Sequence, residues 1–163
     1  MARIQVANQS TIKIKRGSVK NAASRVLSAL GYTESELSIL IVDDAEMASL
    51  NLRYRGIDHA TDVLSFPMLE GEFGGIASDI LGDVVISAQT ARAMSEENRT
   101  AFESVLDLLL IHGILHLLGL NHEEGPAEAR KVKLKTEELL SMLGHGGKEF
   151  EWFYEEENCQ DSL

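Results

Sequence analysis

Cysteine is almost missing from this chain of 163 residues: Cys159 is alone, which excludes an intramolecular disulfide, and it lies far from the histidines. Proline occurs twice and tryptophan once. No apolar run is long enough for a membrane span, because the best stretch, Val105–Leu120, has 16 residues and is interrupted by His112 and His116. The start, MARIQVANQSTIKIKR, lacks the continuous apolar segment of a secretion signal. A cytoplasmic protein without membrane contact is the expectation. Basic charge is also scarce, with a net charge of −11, but it is unevenly placed. Met1–Arg25 holds six basic residues and no acid, whereas Gly144–Leu163 holds six acids and one lysine. A local basic surface keeps nucleic acid open as a partner, and ordinary solvated charge explains the same composition equally well.

What is present is concentrated in Ile111–His122, IHGILHLLGLNH, where three of the five histidines fall within eleven residues. His112 and His116 are four apart, so a helix projects both imidazoles from one face, one turn above the other. Gly119 can take the left-handed conformation that ends a helix and turns the chain back, bringing His122 toward the other two. Three imidazoles with a fourth position left for water is the donor set of a catalytic zinc site, one Zn²⁺ ion per chain. The plainer alternative is a pair of hydrogen-bonded core histidines and a third near the helix end.

Along the chain, Arg3–Asn8 and Thr11–Lys15 alternate like short strands. Ser18 is placed to cap a helix to about Leu30, which Gly31 ends. Glu36–Val42 is an apolar run of strand length, and the Asp43-Asp44 pair supplies a cap for a helix to about Arg53 with Met47, Leu50 and Tyr54 as its inward stripe. Asp62–Met68 reads as a strand stopped by Pro67, Gly71–Gly75 as a flexible loop, and Leu81–Ser87 as a buried strand followed by a short helix. Thr100 and Glu103 have the spacing of a capping box ahead of Val105–Leu118, which is apolar on nearly every face and therefore central. Pro126 opens a last helix to about Leu143, with Val132, Leu134, Leu139, Leu140 and Leu143 facing inward. The fold class expected is α+β: a single domain with a small mixed β-sheet packed with helices and a zinc-hydrolase-like central metal-binding helix. Residues 1–146 form the hydrolase domain. Residues 147–163 are an acidic extension carrying Phe150, Trp152, Phe153 and Tyr154, four of the nine aromatics.

A zinc site with an open position points to hydrolysis. Peptidases of the H-E-x-x-H kind carry a general base immediately after the first histidine. Here that position is Gly113, so a peptidase would have to use Glu123 or Glu124. Phosphodiester cleavage asks instead for a cation near phosphorus. Arg55, at the end of a helix just before Gly56, is the candidate, with Arg53 as competitor and a simple helix-dipole role as the plainer explanation. Asp58 and Asp62 fit a role in pinning the connecting turn.

The blocks LNLRYRGIDHATDVLSFP and IHGILHLLGLNH, with LGDVVIS between them, resemble the YbeY family of bacterial rRNA maturation factors, over roughly Leu37–Leu143. The resemblance implies zinc ligands at His112, His116 and His122, a functional arginine at Arg55, and a cytoplasmic endoribonuclease directed at single-stranded RNA. It also implies a role in forming the 3′ end of the small-subunit rRNA, with the small ribosomal subunit and assembly factors as partners. Two departures stand out: Leu120-Asn121 replaces an expected Tyr-Asp, and the aromatic tail runs past the family core. Two other function classes remain at this stage. One is a non-catalytic RNA-binding assembly factor with a structural metal, favoured by the lack of a general base beside the motif; the other is a zinc peptidase.

Overall fold

The computed structural model describes residues 2–68, 79–120, 125–146 and 149–154. Its elements run β1 (Arg3–Asn8), α1 (Arg16–Ala29), β2 (Glu36–Val42), α2 (Asp44–Arg55), β3 (Val63–Pro67), β4 (Ile80–Ser87), α3 (Ala88–Glu97), α4 (Phe102–Leu117) and α5 (Pro126–Met142). The four strands form one mixed sheet in the order β1-β2-β4-β3. The first three strands of that order are parallel, and β3 pairs antiparallel with β4 at the edge. The α+β architecture expected from the hydrophobic pattern is the one observed.

Both faces of the sheet are covered, which is why β2 is apolar at nearly every position rather than alternating. Leu37, Ile39 and Ile41 point into the main core with Val84 and Ile86. Val42 and Val85 point the other way, against Met47 of α2 and Leu64. Helix α4 occupies the middle of the main core and touches β3, β4, α1, α3 and α5. Eleven of its 16 residues are buried, so it is apolar around its circumference, and each buried leucine or isoleucine contributes about 1.5–3 kcal/mol.

Several local readings are corrected by tertiary partners. Thr11–Lys15 is not a strand. Its hydrogen bonds go to side chains instead: Asn8 Nδ2 donates to the Ile12 carbonyl, and the Asp43 carboxylate accepts from the Thr11 N–H and hydroxyl. Asp43, thus engaged, makes no side-chain cap on α2, and α1 begins at Arg16 without a side-chain cap, leaving Ser18 inside its first turn. Thr100 Oγ1 donates to the Asn98 carbonyl, so the capping box with Glu103 does not form. Tyr54 and Leu134 are exposed rather than inward. Tyr54 instead lies edge-on to Phe66 at 5.0 Å, while the buried positions of α2 are Met47 and Asn51. The expected loop Gly71–Gly75 falls outside the described residues.

The first part of the aromatic extension packs on the domain. Phe150 and Phe153 belong to the main core, at 2% and 3% exposure.

Candidate metal and phosphodiester site

The site starts from the packing of α4. At Gly113 the helix lies so close to the sheet that a Cβ would come within 2.6 Å of Val84 Cγ1 and 3.1 Å of Val63 Cγ2. The Ser65 hydroxyl of β3 donates to the Gly113 carbonyl at 2.8 Å, fastening the edge strand to the helix at the same level. Position 113 therefore faces the sheet and has no room for a side chain, which removes the place where an H-E-x-x-H peptidase carries its base.

With α4 anchored there, His112 is buried at 8% exposure and His116 is half-buried. Their ring centroids are 4.7 Å apart and the planes differ by 37°. The helix then ends as its sequence requires. Gly119 has φ +85°, the Gly119 N–H donates to the His116 carbonyl at 3.0 Å, and the Leu120 N–H donates to the Leu115 carbonyl at 3.0 Å. This pair of bonds on a left-handed glycine is a Schellman ending, and it turns the chain sharply at the position expected. His122, with Glu123 and Glu124, lies outside the described residues. Among the described residues no third His, Cys, Asp or Glu joins His112 and His116 in a ligand set. The donor chemistry of the pair, two imidazoles one helical turn apart on one face, fits a borderline metal such as zinc.

The second candidate segment is the end of α2. Gly56, at φ +72°, closes the helix with its N–H on the Leu52 carbonyl, leaving Arg53 and Arg55 exposed in the last turn. The connection to β3 is held from inside by Asn51, whose Nδ2 donates to the His59 carbonyl at 2.9 Å. The Asp62 carboxylate accepts from the Val63 N–H at 2.8 Å and from the Thr61 hydroxyl at 3.3 Å. Burial pushes the Asp62 carboxyl above its ordinary value, and these hydrogen bonds and the Arg55 charge pull it part of the way back. Asp62 thus pins the turn, as its position suggested, while Asp58 is exposed. Asn51 and Ser65 escaped sequence reasoning. Asn51 had one usable signal: it stands four residues after Met47, a polar residue on an apolar stripe.

A small α+β domain whose central helix, packed on β3 and β4, offers paired imidazoles, and whose α2 ends in an exposed arginine before the turn into β3, is the class that this fold and site define. Comparison with known proteins makes it specific. The sequence model of the family described as Endoribonuclease YbeY matches residues 4–144. The Endoribonuclease YbeY of Geobacter sulfurreducens is 46% identical over 130 residues, covering 79% of this chain and 87% of the relative. That of Aquifex aeolicus is 46% identical over 131 residues, covering 80% and 85%. The solution structure of TM1509 from Thermotoga maritima superposes with a TM-score of 0.58 at 25% identity, covering 88% of this chain and 91% of that one. This chain belongs to the YbeY endoribonuclease family. The match begins at residue 4, so it takes in β1 and α1, which lie before the blocks that carried the resemblance. Among the described residues no helix is long and apolar enough to cross a membrane.

Proposed function

We propose that this chain is a cytoplasmic, single-strand-directed endoribonuclease that matures rRNA at the small-subunit 3′ end, with one Zn²⁺ held by His112, His116 and His122. The observation that carries the reading is the pair of imidazoles 4.7 Å apart on a helix fixed against the sheet at Gly113. A zinc ion in that donor set supplies Lewis-acid chemistry toward a phosphoryl oxygen. His112 and His116 hold it from a rigid element, which keeps the ligands oriented without help from substrate. Arg55, exposed and in the last turn of α2, is free to reach a phosphate with two parallel N–H donors and to offset the charge that builds at phosphorus. The packing at Gly113 speaks against a peptidase. The nucleophile is a water or the RNA's own 2′-hydroxyl, and the product ends distinguish them, since a 2′,3′-cyclic phosphate arises only from the second.

The test is cleavage of single-stranded RNA by purified, metal-analysed protein, with an unfolded protein as the peptidase control and the His116→Ala variant beside it. Cleavage of RNA alone, lost together with bound zinc in the variant, supports the proposal. Full ribonuclease activity in His116→Ala would assign the cleavage to a contaminant and leave the assembly-factor reading in its place.

A further inference from the structure

The family match stops at residue 144, but the folded chain does not. After Gly144, at φ +96°, His145 Nε2 meets Asp107 Oδ2 of α4 at 2.8 Å, and Phe150 packs edge-on against the His145 ring at 5.9 Å. A helical turn over residues 151–154 follows. It delivers Phe153 onto α4, where the Phe153 and His112 centroids are 5.5 Å apart with planes at 81°. Phe153 is held on its own other sides: Trp152 lies edge-on at 6.2 Å and Tyr154 edge-on at 5.6 Å. The Tyr154 ring in turn lies under Lys133 Nζ of α5 at 5.3 Å.

We propose that the C-terminal extension completes the metal site, with Phe153 acting as a positioning residue that fixes the ring of His112. The inference rests on the reading of His112 as a ligand. An imidazole on a helix rotates about χ2 over a broad, shallow well, so a ligand's orientation is set by what surrounds it. On one side His112 faces His116; on another it meets the edge of Phe153, which is 3% exposed and cannot move aside without opening the core. The same ring keeps the neighbourhood of His112 apolar, which strengthens electrostatic interactions there. In a chain ending near residue 144 this wall would be missing, so the extension contributes to this site and not only to the stability of α4.

Phe150 is the internal control, because it is buried to the same degree, at 2% against 3%, but meets His145 rather than His112. The experiment compares the full chain with its Phe153→Leu and Phe150→Leu variants, stripped of metal and titrated with Co²⁺, following d–d absorption and thermal unfolding. Phe153→Met serves if the leucine variant does not fold. The expected result is one Co²⁺ per wild-type chain, with about tenfold weaker binding and an altered d–d band in the Phe153 variant. The Phe150 variant should lose comparable thermal stability while keeping wild-type affinity and band shape. Equal effects of the two variants on Co²⁺, or none from Phe153, overturn the positioning role. Failure of the wild type to bind Co²⁺ overturns the metal reading itself, and the inference with it.

Discussion

The two regions that carry the candidate residues are built in opposite ways. The histidine region sits on α4, whose residues are mostly buried and which is pressed against Val84 and Val63 at a glycine. The arginine region sits at the end of α2, where Leu52 to Gly56 are all exposed and only Met47 and Asn51 reach the interior. A buried helix orients its imidazoles through the core, so any change there acts on folding and on the imidazoles together. An exposed helix end can lose a side chain with little cost to the fold, so a change at Arg55 should act on the fold far less than one in α4.

The sharpest way to break this contrast is His116→Ala, for which we expect loss of bound zinc and a fall in ribonuclease turnover of about a thousandfold. Retained metal at normal stoichiometry would remove His116 from the donor set. Next is Gly113→Ala. Alanine favours a helix interior by about 1 kcal/mol, but overpacking against Val84 costs about 1–3 kcal/mol, so the net is destabilising by about 1 kcal/mol. Gly113→Glu adds an unpaired charge among valines and should prevent folding at room temperature. Urea unfolding measures both, and an alanine variant as stable as the parent would mean that helix and sheet are less tightly apposed than 2.6 Å implies.

On the exposed side, Arg55→Ala should lower turnover about tenfold, the modest end of the range for a lost cationic donor, because water screens the residue. Zinc content should not change, and the unfolding midpoint should move only by the loss of the Arg55–Asp62 attraction, less than for Gly113→Ala. If stability fell as it does for Gly113, the two regions would not differ as described. The smallest effect concerns Asp62, whose carboxyl is raised first by burial and only partly lowered by its hydrogen bonds and by Arg55. The folded protein therefore binds that proton more tightly than the unfolded chain. The associated stability is full below the unfolded carboxyl value of about 3.9 and is lost as pH rises through the raised folded value. Asp62→Asn keeps an acceptor for the Val63 N–H and should flatten this part of the pH–stability profile. Arg55→Ala, which removes a lowering influence, should extend the loss to higher pH. Profiles that are superimposable across wild type and both variants would rule out this coupling between the turn and the arginine.

Much of the molecule was legible before any tertiary contact was known. Strand β2 follows from its apolar run, the centrality of α4 from its all-round hydrophobicity, and the Schellman ending from Gly119 after an apolar helix. The capping readings that failed turn on competition for hydrogen bonds. Asp43 and Thr100 are good caps on local grounds, but a short polar side chain takes the partner that lies nearest, which for Thr100 is the Asn98 carbonyl and for Asp43 is Thr11, 32 residues away.

The sequence by itself determined the hydrophobic periodicity, the helix-ending glycines and the one-turn spacing of His112 and His116, because these depend on residues within a few positions of each other. Only the tertiary structure decided why residue 113 is glycine, that Ser65 fastens β3 to α4, and that Phe153 reaches His112 across 41 positions of chain. Those are contacts between elements, and they exist only once close packing has chosen which faces meet.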